Sequence, residues 1–154
     1  DLENSVVVAP DAGSAKRAGV YASKLDLPLA ILDKRRHGDD ESPVIENIIG
    51  DVKGKKALIF DDEISTAGSM MEVCASLLKN GVKEVYAAAI HPVFCGPAIE
   101  RLKNSPIKEI VVTNTIPVDD EKKLDKITIL SVGPLIGEAI KRIHEGESLS
   151  ELFK

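Results

Sequence analysis

Short runs of hydrophobic residues, many of them β-branched, alternate along the chain with stretches whose hydrophobic positions recur at helical spacing. This alternation predicts an α/β fold, a mostly parallel β-sheet flanked by helices. The predicted strands are 6–9, 29–32, 45–49, 57–60, 85–90, 107–113 and 127–132. The predicted helices are 15–25, 69–79, 97–102 and 134–144, and 149–153 is expected to dock as a final turn.

The helical spacing also predicts which side chains face the sheet. In the first helix these are Ala18, Ala22 and Leu25, and in the second they are Met70, Val73, Leu77 and Leu78. His91 follows a predicted strand, and we expect it to be buried and hydrogen-bonded, without an assigned role.

Composition narrows the class of protein. The 154 residues include 20 Lys and Arg against 25 Asp and Glu, for a net charge of -5, and 44% are hydrophobic. We expect one globular domain over 1–154.

The acidity and the scarcity of aromatic residues disfavour a nucleic-acid surface. The acidic start and the absence of a long apolar run predict a cytoplasmic protein with no membrane contact. Cys74 and Cys95 are expected to be reduced, partly buried thiols.

In open sheets, ligands bind beyond the carboxyl ends of strands, so the turns that follow strands are candidate sites. Segment 57–69 runs from a buried strand through two carboxylates into small and hydroxylated residues that open a helix. Free amides at a helix start and nearby hydroxyls suit a phosphate, whereas carboxylates accept hydrogen bonds from the diol of a sugar. The segment therefore predicts a sugar-phosphate site made of Asp61, Asp62, Ser65, Thr66, Ala67, Gly68 and Ser69. The alternative is that Ser65 or Thr66 merely caps the helix.

Two other segments could bind anions. The Gly-containing turn after the first strand, residues Asp11, Ala12, Gly13 and Ser14, can cradle an anion with its amides, or Asp11 can simply cap the next helix. The polar stretch 34–43 is expected to be mobile, and Lys34 and Arg36 on one side of it could close over a triphosphate. A solvated run of charges beside acidic 39–41 is the alternative.

These segments together resemble one family. Segment 57–69 resembles the ribose-phosphate signature of the type I phosphoribosyltransferase fold. Segments 9–14, 33–36 and 91–98 with 104–105 narrow the resemblance to the ribose-phosphate pyrophosphokinases, also called phosphoribosyl pyrophosphate synthetases. Segments 112–117 and 130–135 also resemble that family.

The resemblance implies a function: transfer of pyrophosphate from ATP to ribose 5-phosphate, with Mg²⁺ as cofactor. It implies that Lys34 and Arg36 are catalytic, that 11–14 is the pyrophosphate loop and that Asp11 is a metal ligand. Ser14 stands where many members have glycine. The family forms homo-oligomers of two-domain subunits, and this chain resembles only the second domain. The first supplies a histidine to the magnesium site and residues that bind adenine.

Two other functions are open at this point. The chain could be a non-catalytic, synthetase-like module that binds ribose phosphate or regulates an enzyme. It could also be a phosphoribosyltransferase that acts on a base, but such enzymes usually carry a hood over the base, and the sequence offers no candidate for one.

Overall fold

The structure is a computed structural model that describes residues 2–35 and 44–153. Its strands are β1 (Ser5–Ala9), β2 (Leu29–Arg35), β3 (Val44–Ile49), β4 (Lys56–Glu63), β5 (Glu84–His91), β6 (Glu109–Thr113) and β7 (Ile127–Leu130). Its α-helices are α1 (Ala15–Leu25), α2 (Gly68–Lys79), α3 (Ala98–Lys103) and α4 (Gly133–Glu145). Short 3-10 helices span Asp120–Lys122 and Leu149–Phe153.

The strands within the described residues form one seven-stranded sheet in the order β3-β2-β1-β4-β5-β6-β7. Every neighbouring pair is parallel except β2 and β3, which are antiparallel. The predicted mostly parallel sheet with flanking helices is confirmed.

The β2 strand is longer than its hydrophobic run. It continues through Arg35 and pairs with β3, where Lys34 lies beside Ile45. The prediction of a mobile stretch is therefore wrong for its first two residues, because an antiparallel partner hydrogen-bonds them into the sheet. The rest of the predicted stretch, 36–43, lies outside the described residues.

Two hydrophobic layers pack on opposite faces of the sheet. On one face α1 buries Ala18 and Ala22 against β1, with Leu25 packed beside them. On the other face α2 and α3 cover the sheet, and the buried residues of α2 are Met70, Val73, Cys74 and Leu77. Leu78 is 37% exposed, so its predicted inward position is wrong. Successive residues of an α-helix are about 100° apart around its axis, so Leu78 points away from the sheet when Leu77 faces it.

This arrangement creates a topological switch point between β1 and β4. The chain leaves β1 toward α1 on one face of the sheet and leaves β4 toward α2 on the other. A crevice opens where two such connections diverge, and ligands of open α/β sheets bind there. The fold thus places the loops after β1 and β4 side by side.

The C-terminal part of the described chain is less buried. No residue of α4 is buried, and Arg142 joins that helix to the last 3-10 helix by a hydrogen bond to the Ser148 carbonyl (3.1 Å) and a salt bridge to Glu151 (3.4 Å). The predicted final turn forms and contacts α4 through Arg142, but none of its residues is buried. No helix in 2–35 or 44–153 has the length and apolar character needed to cross a membrane.

Candidate functional site

The loop between β1 and α1 (10–14) is closed by hydrogen bonds between Asp11 and Ser14. The Ser14 amide donates to Asp11 Oδ1 at 2.7 Å, and the Ser14 hydroxyl donates to the Asp11 carbonyl at 2.9 Å. Gly13 lies against the carboxylate, since a Cβ there would come within 3.2 Å of Asp11 Oδ1. Asp11 therefore binds the amide of Ser14, which is itself the N-cap residue of α1, so the interpretation of Asp11 as the cap is wrong. The loop keeps the tight form expected of an anion cradle.

The two carboxylates of the predicted sugar-phosphate segment lie on the end of β4 rather than in a turn. β4 continues to Glu63 because β5 is equally long and pairs with it, with Asp61 opposite Ala89 and Glu63 opposite His91. Backbone pairing of this kind does not depend on side-chain polarity, which is why the hydrophobic run alone ended the strand too early. The Asp61 side chain is 30% exposed and that of Asp62 is 58% exposed.

Arg17, in the first turn of α1, contacts both carboxylates. Its Nη1 donates to Asp62 Oδ2 at 3.1 Å, and its Nη2 lies 3.5 Å from Asp61 Oδ1. The sequence pattern did not predict this contact. Its one available signal was a cation near the start of a helix that begins at the carboxyl end of β1, where it faces the ends of neighbouring strands.

The neighbouring groups shift the two carboxyl groups in opposite directions. Burial and a hydrogen bond shared with Asp62 raise the pKa of Asp61 to about 6 from an ordinary value of 3.8. The shared hydrogen bond with Asp61, followed by the hydrogen bond from Arg17, lowers the pKa of Asp62 to about 2. The two acids therefore titrate as a pair that holds one proton in weakly acidic solution.

The loop between β4 and α2 (64–67) ends in a residue with left-handed backbone geometry. Ala67 has φ 60° and ψ 8°, and it is the N-cap of α2, where no side chain caps the helix. For a residue with a Cβ this conformation costs roughly 1–2 kcal/mol, so the surroundings must hold it in place. Neither Ser65 nor Thr66 occupies the cap position that the alternative interpretation gave them.

The loop after β5 supports the loop after β4. The Phe94 amide donates to the Ile64 carbonyl at 2.9 Å, and the Cys95 amide donates to the Ser65 carbonyl at 3.1 Å. The side chains of Ser65 and Cys95 also meet, with Oγ and Sγ 3.2 Å apart. Segment 91–98, which carried part of the family resemblance, therefore positions the predicted sugar-phosphate loop from behind.

Two cavities meet at the acidic pair. A cleft of about 700 Å³ opens between the β1–α1 loop, α1 and the end of β4. A second cavity of about 220 Å³ lies over the β4–α2 loop. Both are lined by Asp61 and Asp62. Of the predicted residues, the first cavity also contains Asp11, Gly13 and Ser14, and the second contains Ser65, Thr66, Ala67, Gly68 and Ser69.

Three predicted residues are placed differently. Ala12 belongs to the first loop without lining its cleft, and its carbonyl accepts a hydrogen bond from the Ala15 amide at 3.3 Å. Lys34 lies near the carboxyl end of β2, at the same sheet edge as the ends of β1 and β4, because the three strands are parallel. Arg36 lies outside the described residues.

The donor set suits a magnesium ion held jointly with phosphates. No group of three or more His, Cys, Asp and Glu side chains that could hold a metal occurs among the residues that the structure describes. Mg²⁺ is usually bound through one or two carboxylates together with substrate phosphates and water, rather than in an all-protein cage. Asp11 uses one carboxylate oxygen on Ser14 and retains acceptor capacity on the same group, which fits that mode of binding.

His91 differs from its prediction in one respect. Its side chain is exposed rather than buried, although it is hydrogen-bonded, with Nδ1 2.9 Å from Thr115 Oγ1. Thr115 and Thr113 also donate to the Ile90 carbonyl, at 3.0 and 2.6 Å. The histidine therefore belongs to a polar network at the carboxyl ends of β5 and β6.

The sequence of this chain is similar to those of known proteins over most of its length. The family model described as the phosphoribosyl synthetase-associated domain matches residues 36–154. The ribose-phosphate pyrophosphokinase of Caldanaerobacter subterraneus subsp. tengcongensis is 58% identical over 98% of this chain, and that of Bacillus subtilis is 50% identical over 99%. This chain covers 48% of each of them, so it spans about half the length of these curated relatives.

A solved structure agrees with the sequence comparisons. The phosphoribosylpyrophosphate synthetase from Mycobacterium smegmatis superposes with a TM-score of 0.85 and 36% identity, over 94% of this chain and 46% of that one. The resemblance predicted from the motifs is confirmed, as is the phosphoribosyltransferase-like fold. The chain belongs to the phosphoribosyl synthetase-associated domain family and is similar to the C-terminal half of ribose-phosphate pyrophosphokinases.

Proposed function

We propose that this chain contributes the ribose 5-phosphate and pyrophosphate sites of a ribose-phosphate pyrophosphokinase. The observation that carries the proposal is the meeting of the two cavities at Asp61 and Asp62. A ribose 5-phosphate bound at Asp61 and Asp62 would have its phosphate over the β4–α2 loop. Its 1-hydroxyl, the group that reacts, would lie toward the β1–α1 loop. One substrate can therefore contact both predicted sites at once.

The sugar phosphate is bound by two kinds of group. The carboxylates of Asp61 and Asp62 accept hydrogen bonds from ribose hydroxyls. Amides at the start of α2, with the hydroxyls of Ser65, Thr66 and Ser69, donate to the phosphate. The left-handed geometry at Ala67 supports this assignment, because it brings consecutive amides to the head of the helix.

The pyrophosphoryl group is bound at the β1–α1 loop. Amides of the loop (11–14) donate to it, and Asp11 helps to hold Mg²⁺. Bound Mg²⁺ neutralises charge on the phosphates and orients them. Lys34 and Arg36 stabilise charge on the transferring group and exclude water from it. The positive charge of Arg17 offsets the negative charge of Asp61 and Asp62, which would otherwise repel an anionic substrate.

The reaction is a displacement at the β-phosphorus of ATP. The 1-hydroxyl oxygen of ribose 5-phosphate forms a bond to the β-phosphorus as the bond from that phosphorus to the oxygen bridging it to the α-phosphorus breaks. The hydroxyl proton is lost, and AMP leaves with the bridging oxygen. The products are AMP and phosphoribosyl pyrophosphate. In such reactions the protein mainly positions the groups and neutralises their charge.

Two measurements test the proposal. Calorimetric titration with ribose 5-phosphate should give saturable binding that Asp62→Asn weakens and Asp125→Asn, an exposed acid outside both cavities, leaves unchanged. Release of AMP from ATP and ribose 5-phosphate should fall on the order of a hundredfold in Lys34→Ala. Absence of sugar-phosphate binding in the unsubstituted protein would contradict the proposal, and an undiminished rate in Lys34→Ala would remove that residue from catalysis.

A non-catalytic ribose-phosphate-binding module is the second candidate function. The cavity over the β4–α2 loop, which such a module needs, is lined entirely by residues of this chain from Asp61 to Met70. Tight binding of ribose 5-phosphate without binding of ATP and without AMP release would establish this candidate instead.

The proposal also includes a homo-oligomeric assembly, and light scattering of the purified protein would test it.

A further inference from the structure

Arg101 contacts the β4–α2 loop from outside its cavity. The Arg101 Nη1 atom donates a hydrogen bond to the Thr66 carbonyl at 2.9 Å. Arg101 belongs to α3 and does not line the cavity over the loop, whereas Thr66 and Ala67 do. The guanidinium group therefore contacts a residue that lines the cavity without lining the cavity itself.

The geometry of the peptide bond links this contact to the cavity. No cis peptide bond occurs among the described residues, and in a trans peptide the carbonyl and the amide point in opposite directions. A carbonyl of Thr66 held toward Arg101 therefore turns the Ala67 amide away from Arg101. A cation on the carbonyl also polarises the peptide and strengthens the opposite amide as a donor.

The packing around Gly68 gives a second line of argument. A Cβ on Gly68 would come within 3.2 Å of Arg101 Nη1 and 3.6 Å of Thr66 Oγ1. The guanidinium thus lies close to Gly68, and a methyl group there would require it to shift by a few tenths of an ångström. Gly68 has an ordinary backbone conformation, so close approach by Arg101 rather than backbone strain accounts for the glycine.

We propose that Arg101 is a positioning residue for the phosphate of the sugar substrate. It fixes the Thr66–Ala67 peptide so that the Ala67 amide faces the cavity, and it holds Ala67 in its left-handed conformation. The inference rests on the proposed function for the identity of the ligand. The bond to Thr66 is independent of that identity.

The test compares Arg101→Met with Lys103→Met, which removes a positive charge from the same helix and is also exposed. Titration with ribose 5-phosphate and with inorganic phosphate should show about tenfold weaker binding in Arg101→Met, as expected for a lost charged hydrogen bond. Lys103→Met should change either affinity less than twofold. Arg101→Lys should recover part of the loss, and the melting temperatures should differ little.

A double-mutant cycle with Gly68 tests the route of the effect. Gly68→Ala keeps the amide but crowds Arg101, so it should weaken phosphate binding in the wild-type background. In the Arg101→Met background the same substitution should cost little, because the group that it displaces is gone. Equal losses in both backgrounds would contradict the role of Arg101 in positioning the loop.

The amide resonances of Ala67 and Gly68 separate this inference from the proposed function. They should move in Arg101→Met and remain in place in Lys103→Met, with or without ligand. If the unsubstituted protein bound no sugar phosphate but these resonances moved, the proposed function would fail, and only the control of the Thr66–Ala67 peptide by Arg101 would stand. Unmoved resonances in Arg101→Met, or unchanged phosphate affinity in a protein that binds it, would overturn the role.

Discussion

Arg17 Nη1 donates to Asp62 Oδ2 at 3.1 Å and so joins α1 to the end of β4 across the switch point of the sheet. The pair is partly exposed, with 40% of the arginine side chain and 58% of the aspartate side chain open to solvent. Exposed ion pairs of this kind stabilise folded proteins little. Its importance therefore lies in the ionisation of the acids that border both cavities.

Removal of the cation should alter that ionisation. Arg17→Met should raise the pKa of Asp62, which loses a hydrogen bond from the guanidinium, and the pKa of Asp61, which loses a favourable charge. Carboxyl-carbon NMR titration measures both values directly. Lys16→Met is the matched control, since Lys16 lines the same cleft one position earlier on α1. Equal shifts in the control would contradict a specific role for Arg17.

The raised pKa of Asp61 predicts a pH dependence of sugar binding. The ionised carboxylate accepts hydrogen bonds from ribose hydroxyls more strongly than the protonated acid does, so affinity for ribose 5-phosphate should rise as the pH increases through about 6. The substrate phosphate also ionises near pH 6, with a second pKa of about 6. Calorimetry at a series of pH values should therefore show a shallower rise in Asp61→Asn, which leaves only the phosphate to titrate. An identical profile in the variant would exclude Asp61 from the effect.

The same group predicts an effect on stability with a definite sign. Between its ordinary pKa of 3.8 and about 6, Asp61 retains in the folded state a proton that the unfolded chain has lost. The free energy of unfolding should therefore fall, through this group, as the pH rises across that window. Urea denaturation at several pH values should show that Asp61→Asn removes this decline. A steeper decline in the variant would contradict the assignment.

Much of the fold could be predicted from hydrophobic periodicity, because most of the strands and helices bury hydrophobic positions at a regular spacing. The polar ends of the strands were harder to predict from the sequence. The pairing partner, rather than the strand's own residues, decided that β4 reaches Glu63 and β2 reaches Arg35. Periodicity cannot report such a partner, since the backbone groups that pair are the same in every residue.

The parts of the site that lie on one continuous segment could be predicted from the sequence. The β1–α1 loop and the segment from Asp61 to Ser69 were predicted as candidate sites, and the structure places them beside one another. Arg17 and Arg101 were missed because each contacts residues that are distant in sequence. Their partners are 45 and 35 positions away, so only the three-dimensional arrangement shows the contacts.

The two cysteines should differ in reactivity. Cys95 is exposed beside Ser65, whereas Cys74 is buried in the core, where burial raises the pKa of its thiol. Because the thiolate is the reactive form, iodoacetamide should modify Cys95 first, with Cys74 at least roughly tenfold slower. Peptide mass mapping over time measures both rates. Ribose 5-phosphate should protect Cys95 from modification if the sugar occupies the loop. Cys95→Ser should abolish the fast phase of modification. Equal rates at the two thiols would contradict the predicted difference.

Adjacent leucines on α2 provide a test of the packing. Leu77 is fully buried against the sheet, while Leu78 is 37% exposed. Leu77→Ala should lower the free energy of unfolding by about 2–5 kcal/mol, since it removes buried methyl groups and leaves a cavity. Leu78→Ala has the same change in composition and helix propensity but should cost less than about 1 kcal/mol. Urea denaturation measures both, and similar losses would mean that α2 is rotated about its axis from the orientation that also places Gly68 at the sugar-phosphate loop.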